Sequence, residues 1–259
     1  MLFIASSCAS SYQKVTKSTD PEFKMGKASE YYEKGEWLKA IPLFEELIPV
    51  YKGTRSIDAI YYKYADCHFQ QGDYLISSFH FKNIYDSYPA SEYAEESLYM
   101  FAYSYYMLSP DVQLDQTYTE KAMEAFQLFI NAYPESSKVQ ESNGFMDILR
   151  RKMETKAFRG ASLYLKTRNY RAAATAFANM LKDYPDTQYA EEASFLTVKS
   201  YYLYAEHSIP SKQLERYELA LEAYRDFIYR HKESKFAKDA EGLNEAAAKN
   251  LEKLKTSKN

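Results

Sequence analysis

Small and aromatic side chains recur along this chain with the spacing of amphipathic helices. In five places a small residue is followed four positions later by an aromatic ring, and seven positions after that by another ring or an imidazole. Positions i and i+4 lie above one another on a helix, and i+11 returns to nearly the same face. The five sets are Ala40/Phe44/Tyr51, Ser77/Phe81/Tyr88, Ala122/Phe126/Tyr133, Ala173/Phe177/Tyr184 and Ala220/Tyr224/His231. The pattern therefore predicts five repeated helices.

An earlier helix precedes each of these five, because another small residue recurs at a fixed distance before each set. The distance is 12 positions in the first, second and fourth repeats and 20 positions in the third and fifth. The earlier small residues are Ala28, Ala65, Ala102, Ala161 and Ser200. The additional residues predict lengthened turns at about 110–118 and 209–214, since loop closure becomes only slowly more costly with length.

Turn signals separate the repeats. In the middle three sets proline follows the last ring at once, and proline cannot continue a helix. A hydroxyl residue comes next, and acidic residues follow it. The hydroxyl residues are Ser91, Ser136, Thr187 and, in the last repeat, Ser234. Hydroxyls suit the N-cap of the next helix and carboxylates suit its first turn, so each repeat is predicted to be a helical hairpin followed by a turn.

The combination of small residues, rings and prolines resembles the tetratricopeptide repeat, although the repeats here are longer than the roughly 34 residues of that family. The resemblance implies an all-α, right-handed solenoid of five degenerate helical hairpins. Apolar residues also recur at helical spacing between Phe236 and Lys255, which predicts a capping helix after the last hairpin. We expect N-terminal repeats over 22–135, and C-terminal repeats with the capping helix over 136–255.

The start of the chain resembles the lipobox of bacterial lipoproteins, because the string LFIASS at 2–7 leads into Cys8. It departs from that pattern in having Ala5 where Leu is usual and a short apolar run. The resemblance implies a residual signal segment at 1–7, a lipid on Cys8, and a flexible tether over 8–21. Since no apolar run approaches 18 residues, attachment to a membrane would rest on that lipid. An arbitrary cysteine is the alternative.

Composition argues against several classes of function. The net charge is −3 and no basic stripe interleaves with the rings, so nucleic-acid binding is not supported. A glycine-rich phosphate loop and a nucleophile elbow are both lacking, and there are only seven glycines. The four histidines and two cysteines show no metal-ligand spacing. We therefore expect a binding protein or scaffold with no catalytic residue, no metal and no cofactor, in which Cys67 is a small buried side chain.

The first helices of stacked hairpins line a concave face, and the groove positions of the repeat family can be carried over to this chain. Counted from Ala28, Ala65 and Ala102, these positions are unusually aromatic in the second and third repeats. The peptide-binding groove is expected to contain Tyr32, Tyr62, Asp66, Phe69, Tyr99, Tyr103 and Tyr106. Rings with polar tips suit extended peptides that carry aromatic side chains, whereas the alternative for each ring is a place in the core.

Two longer strings make the resemblance more specific: LDQT at 114–117 and DYPDTQ at 183–188. With the lipobox and the five repeats, they resemble the BamD-like lipoproteins of the outer-membrane β-barrel assembly machinery. That family implies a non-enzymatic scaffold that is anchored by its lipid on the periplasmic face of the outer membrane. Its C-terminal repeats bind the POTRA region of a BamA-like barrel subunit, and its N-terminal repeats bind the targeting sequences of unfolded outer-membrane protein precursors.

For the partner interface we expect the insertion of the fifth repeat, including Ile209, Pro210, Lys212 and Leu214, although its polarity is also ordinary for a loop. Two other functions fit much of the pattern. One is a different tetratricopeptide-repeat lipoprotein that acts as a cell-envelope scaffold. The other is a glycan-binding lipoprotein, because aromatic rings also stack on sugars.

Overall fold

The structure, a computed structural model, describes residues 12–256. Eleven α-helices follow one another over 21–256, and no β-strand occurs in the described range. The helices are α1 (Pro21–Glu33), α2 (Trp37–Tyr51), α3 (Ile57–Gln70), α4 (Tyr74–Ser87), α5 (Ala94–Leu108), α6 (Thr117–Ala132), α7 (Val139–Lys166), α8 (Tyr170–Asp183), α9 (Ala190–Glu206), α10 (Pro210–Arg230) and α11 (Ala237–Thr256). The predicted all-α repeat fold is confirmed, with ten helices in five successive hairpins and α11 after them.

The chain divides into two compact units between Leu149 and Arg150. The first unit contains α1 to α6 and the beginning of α7, and the second contains the rest of α7 together with α8 to α11. The repeat ranges predicted from the sequence meet at 135/136, in the turn before α7. The two compact units meet further along, inside this 28-residue helix, which runs without interruption from that turn into the fourth hairpin.

The small residues of the repeat pattern form the contact points of the core. The ten small positions, five on the earlier and five on the later helices, are all buried. Four of the rings one turn after the later set are also fully buried: Phe44, Phe81, Phe126 and Phe177. A buried phenylalanine contributes about 1.5–3 kcal/mol of transfer free energy, and small neighbours let helices approach closely around it. The periodic pattern is therefore the core of the fold.

The rings at the end of each set mark where the later helices stop. The Tyr88 backbone N–H donates to the Ile84 carbonyl at 2.8 Å, and the following Pro89 cannot continue α4. Ser91 then organises the turn: its Oγ accepts from the Tyr93 N–H at 3.0 Å and donates to Asp58 Oδ2 at 2.6 Å. The hydroxyl thus caps the turn before the next helix. The expectation that it caps the helix directly is wrong, because α5 starts only at Ala94.

The segment before α1 is more ordered than the sequence indicated. Residues 12–16 form a helical turn in which Val15 is only 1% exposed and packs in the core of the first hairpin. The Tyr12 hydroxyl donates to the Lys39 carbonyl at 3.4 Å, and the Tyr12 and Tyr31 rings meet edge to face. The expected flexible tether over 8–21 therefore needs correction for residues 12–16, which Val15 and Tyr12 dock on the first hairpin. Cys8 and the predicted signal at 1–7 lie outside the described residues.

The third hairpin contains the lengthened turn that the spacing predicted. Residues 109–116 connect α5 to α6 without regular structure, and the Gln116 side chain is buried within them. Its amide nitrogen donates to the carbonyls of Asp111 and Leu114 at 2.9 and 3.0 Å, and its oxygen accepts from the Thr119 hydroxyl at 2.6 Å. The LDQT string therefore holds this loop in shape.

The fifth hairpin does not contain a lengthened turn, and that expectation is wrong. Pro210 is the first residue of α10, so 209–214 form the N-cap and first turns of a helix. Proline is favoured at this place because its fixed φ suits a helix start and its missing N–H would be unpaired there anyway. The additional residues lengthen the helices instead: α9 has 17 residues and α10 has 21, whereas α8 has 14.

Candidate functional site

A run of stacked rings on α3, α5 and α7 is the most distinctive surface of the first unit. Tyr103 lies at its centre: its ring centroid is 5.7 Å from Phe69, 6.0 Å from Tyr99 and 5.7 Å from Tyr106. The Tyr106 ring in turn lies 4.5 Å from Phe145. The three tyrosines are nearly parallel, with interplanar angles of 9° and 12°. We call these five residues the aromatic wall.

The spacing of α5 explains why its tyrosines stack. Tyr99, Tyr103 and Tyr106 follow one another at four and three positions, which places them on one face of a helix. Ala102, beside them, is fully buried and fixes the rotation of α5 against its neighbours. The sequence found four of the five wall residues but missed Phe145 on α7. Its only signal was a lone ring in the polar stretch after Val139.

Tyr99 forms the buried base of the aromatic wall. It is 6% exposed, its hydroxyl donates to Glu141 Oε2 at 2.9 Å, and the Lys138 ammonium lies 4.2 Å from its ring centroid. Burial, followed by the hydrogen bond to Glu141, raises the pKa of Tyr99 well above its ordinary value. Tyr99 therefore holds α5 against α7. The sequence predicted it to be a groove residue, but its burial leaves it unavailable to a peptide.

Tyr103 and Tyr106 form the accessible part of the wall. Both are half-buried, and within residues 12–256 neither hydroxyl has a hydrogen-bond partner. Each ring therefore presents an apolar face that is fixed by its neighbours and a polar tip that remains free. Rigid rings of this kind lose little conformational entropy on binding, and for this reason they dominate many recognition surfaces.

The remaining predicted groove residues lie apart from the wall. The Tyr32 hydroxyl donates to Asp66 Oδ2 at 2.6 Å, and Gln70 occupies the other oxygen at 3.1 Å. Burial, followed by the bond to Asp66, raises the pKa of Tyr32. Tyr62 stacks on Tyr93 at 4.9 Å, and burial, followed by the charge of Glu96, raises its pKa as well. The seven predicted residues thus fall into three groups. Tyr32 and Asp66 form a hydrogen-bonded pair, Tyr62 stacks separately on Tyr93, and the other four belong to the aromatic wall.

In the second unit, the residues expected at the partner interface are mostly exposed. Ile209 is 65% exposed, and Pro210 and Lys212 are exposed as well. The Lys212 ammonium pairs with Glu215 at 3.1 Å, and Leu214 is half-buried. They lie on the first turns of α10, one turn before Arg216.

Arg216 lines an open pocket of about 800 Å³ between α8, α9 and α10, which we call the basic pocket. Its lining also includes the side chains of Arg168, Arg171 and His207. No Asp or Glu is among the lining residues. The Arg216 guanidinium carbon lies 4.1 Å from the Tyr204 ring centroid, its Nη1 donates to the Ser208 hydroxyl, and its Nε is 4.0 Å from Glu215. Arg168 and Arg171 are exposed, and neither forms an ion pair among the described residues.

Arg168 occupies a backbone conformation that the first and second hairpins reserve for glycine. Its φ is +61°, while Gly35 and Gly72 have φ of +70° and +81° at the equivalent turns. The hydrogen bonds agree as well, because the N–H of each of these three residues donates to the carbonyl three positions earlier, at 3.0–3.1 Å. A side chain costs about 1–2 kcal/mol in this region. The fourth hairpin tolerates that cost and places a guanidinium at the mouth of the basic pocket.

Comparison with known protein families shows to which family the chain belongs. A family described as YfiO, outer membrane lipoprotein, matches residues 24–216, which is well over half of the sequence. The chain belongs to this family. The resemblance that the repeats and the two strings suggested is thereby confirmed. The match includes the whole aromatic wall and every residue that lines the basic pocket.

Two curated relatives carry the same name, outer membrane protein assembly factor BamD. The one from Rickettsia prowazekii (strain Madrid E) is 29% identical over 124 residues, which are 48% of this chain and 49% of that protein. The one from Caulobacter vibrioides (strain ATCC 19089 / CIP 103742 / CB 15) is 24% identical over 173 residues, 65% of this chain and 55% of that protein. The chain spans about half the length of these relatives.

Solved structures give looser matches than the family does. The complex of the TPR2AB domain of yeast Sti1 with pHSP90 aligns with 88% of this chain and 98% of its own, at 13% identity and a TM-score of 0.39. The yeast histone chaperone Hif1 aligns with 76% of this chain and 94% of its own, at 12% identity and a TM-score of 0.29. At these scores neither structure bears on the function.

No helix within residues 12–256 is both long and apolar enough to cross a membrane. In the same range, no three side chains of His, Cys, Asp or Glu are grouped so that they could hold a metal ion.

Proposed function

We propose that this chain is a non-enzymatic scaffold lipoprotein of the outer-membrane β-barrel assembly machinery. The observation that carries the proposal is the family match over 24–216, which contains both candidate binding surfaces. The names of the two curated relatives agree with this role. The candidate surface of each unit is proposed to bind a different partner, because the two surfaces differ in chemistry.

The aromatic wall is the proposed contact for targeting sequences of unfolded outer-membrane protein precursors. Tyr103 and Tyr106 offer ring faces beside free hydroxyls, and Phe69 and Phe145 fix them from either side. An aromatic side chain of an extended peptide can stack on such a surface while its backbone reaches the hydroxyls. Within residues 12–256 there is no sheet edge to which a peptide could add as a strand, so recognition would depend on side chains.

The basic pocket is the proposed contact for the POTRA region of a BamA-like barrel subunit. Arg168 and Arg171 project two unpaired guanidiniums, and Arg216 is held between the Tyr204 ring and Ser208. Guanidiniums bind carboxylates in a planar, bidentate geometry, so acidic side chains of the partner suit this pocket. The exposed Ile209, the N-cap of α10, directly follows the pocket residue Ser208 and would add an apolar contact.

The lipid on Cys8 is the proposed attachment to the outer membrane, on its periplasmic face. The family is described as one of lipoproteins, and Cys8 follows the lipobox-like string. Stable attachment needs more than one acyl chain, because a single chain binds a bilayer only marginally. Mass spectrometry of the membrane-extracted chain tests this step directly, since an unmodified Cys8 would contradict it.

Affinity purification from detergent-solubilised membranes tests the proposed function as a whole. We expect a barrel subunit with POTRA domains to be recovered with the tagged chain, and cross-links from photo-reactive groups near Arg171 to reach it. Recovery of peptidoglycan-linked or glycan components without any barrel subunit would instead support the envelope-scaffold or glycan-binding function and overturn the proposal.

A further inference from the structure

The docked N-terminal turn fixes where the chain leaves the first unit. Tyr12 lies beside the Lys39 carbonyl at 3.4 Å and against the Tyr31 ring, at the end of the hairpin where α1 turns into α2. Tyr12 lies four positions after Cys8. Even a fully extended chain of that length spans at most about 14 Å. A lipid on Cys8 would therefore hold this end of the first unit close to the membrane.

That end of the unit also carries most of its exposed large apolar side chains. We call it the turn edge: the connections α1–α2, α3–α4 and α5–α6 with the adjoining helix turns. Ten large apolar side chains of residues 12–149 are exposed, and six of them lie there: Leu38, Leu75, Ile76, Phe79, Met107 and Leu114. Leu38 is 72% exposed and Phe79 is 67% exposed. Such a concentration is unusual on a surface that meets only water.

The charges of the turn edge exclude a purely electrostatic attraction to anionic lipid. Lys34 pairs with Glu30 at 2.6 Å and Lys39 pairs with Glu36 at 2.5 Å, so these cations are neutralised by their neighbours. Asp73 and other carboxylates lie on the same edge, while Lys14 and Lys17 are exposed on the docked turn. A contact there would be mainly apolar and only weakly sensitive to salt.

We propose that the turn edge of the first unit lies on the lipid surface, so that Leu38, Leu75, Ile76 and Phe79 rest in the headgroup region. The inference depends on the proposed lipid at Cys8, because a surface this small needs an anchor to stay bound. Once anchored, the edge has a high effective concentration at the membrane, and a weak contact suffices. The anchor and the edge together would set the orientation of the first unit.

The only tryptophan of the chain provides the measurement, because Trp37 is the first residue of α2 and lies on the turn edge. We would couple the full chain through Cys8 to a maleimide phospholipid in vesicles of phosphatidylethanolamine and phosphatidylglycerol. Cys67 does not compete, since it is fully buried and burial raises the pKa of its thiol to about 12. Brominated lipids then quench only a tryptophan that touches the bilayer.

The matched control moves the reporter to the other end of the same helix. Trp37→Phe combined with Tyr51→Trp places it 14 residues further along α2, about 21 Å away. We expect several-fold stronger quenching for Trp37 than for this control, with little change in high salt. Leu75→Ser combined with Phe79→Ser should reduce the quenching of Trp37, whereas Val50→Ser, at the opposite end of the hairpin, should not.

Equal quenching of the two tryptophan positions would overturn the inference, and so would quenching that the Leu75→Ser and Phe79→Ser pair leaves unchanged. Circular dichroism checks that the variants keep their helices. Leu75, Phe79 and Val50 are exposed, whereas the half-buried Trp37 and Tyr51 are each replaced by another ring. Chemical coupling makes this outcome independent of whether cells acylate Cys8. It is also independent of the barrel-subunit purification, so failure of the proposed function and failure of this inference are distinguishable.

Discussion

The two units share a repeat but present different chemistry. In the first unit, rings pack on rings and the exposed tips are tyrosine hydroxyls. In the second unit, a guanidinium lies over Tyr204 and two more line an open pocket without any carboxylate. The small positions are buried in both units, and so are the rings one turn later except the half-buried Tyr224. These positions therefore determine the hairpin and nothing about its ligand. The exposed positions of each hairpin are free to diverge, and binding specificity resides there.

The largest effect should come from the positions that the units share. Phe81→Ala in the first unit and Phe177→Ala in the second each remove a fully buried ring, and each should lower the free energy of unfolding by about 3–5 kcal/mol. Urea titrations followed by circular dichroism measure the loss. A change below about 1 kcal/mol in either variant would break the assumption that the two units have equivalent cores.

The basic pocket should respond strongly to charge reversal. Arg168→Glu with Arg171→Glu replaces two unpaired cations by anions, and we expect binding of the purified POTRA region to weaken by about 30- to 100-fold. Isothermal calorimetry measures the affinity. Arg225→Glu, an exposed charge elsewhere on α10, is the control and should change it little. If the control weakened binding equally, general charge rather than the pocket would explain the result.

The aromatic wall should respond to loss of its accessible rings. Tyr103→Ala with Tyr106→Ala should weaken binding of a precursor targeting peptide by about tenfold, because both the ring faces and the hydroxyls are lost. Tyr229→Ala serves as control, since Tyr229 is 88% exposed and belongs to the second unit. Tyr62→Ala should have less effect than the pair, because Tyr62 stacks outside the wall. If the Tyr103 and Tyr106 variant bound the peptide with unchanged affinity, the aromatic wall would not be the peptide-binding surface.

Acid should weaken the first unit through His80. Its ring packs against Tyr64 and His68, its Nδ1 is buried without a partner among the described residues, and burial lowers its pKa to about 4. The unfolded chain, with an ordinary histidine pKa of about 6.5, binds this proton more readily, so stability falls as pH drops below that value. Allowing for partial exposure, we expect a loss of about 1 kcal/mol between about pH 7 and 5.

Trp37 fluorescence measures this effect, because the tryptophan belongs to the same unit as His80. The His80→Phe variant keeps a ring in place but cannot titrate, so its unfolding midpoint in urea should depend less on pH. An identical pH dependence in the variant and the natural chain would assign the acid sensitivity to other groups.

The smallest effect concerns the turn of the fourth hairpin, where Arg168 stands in place of the glycine of the first and second hairpins. Arg168→Gly relieves the left-handed conformation but adds freedom to the unfolded chain, so we expect a net gain of about 0.5 kcal/mol in stability. The same variant should bind the POTRA region more weakly. Thermal unfolding should show the gain in stability, and calorimetry should show the loss of affinity. A variant that is less stable would contradict the strain argument.

The sequence predicted the parts of the fold that depend on periodic burial. Every small position of the repeat is buried, and the last rings stand where the helices end. The docked turn around Val15 escaped prediction because one apolar residue in a polar stretch gives no periodic signal. The fifth insertion was misjudged because Pro210 is equally suited to a loop and to the first turn of a helix.

The candidate sites were less accessible to sequence reasoning. Groove positions carried over from the repeat family included Tyr99, which is buried because Glu141 and Lys138 of the next hairpin close over it. The basic pocket was missed entirely, since Arg168, Arg171 and Arg216 come from two separate hairpins. A set of charges that meets only through packing leaves no spacing in the sequence that would reveal it.

The buried thiol of Cys67 is a built-in reporter of how often the second hairpin opens. A side chain that is fully buried, with a pKa raised to about 12, reacts with an alkylating reagent only while the surrounding helices are apart. The labelling rate therefore reports how often α3 lifts from the core, without any engineered probe. In an oxidising compartment the same burial keeps the folded chain from forming mixed disulfides, so only molecules that open would be trapped.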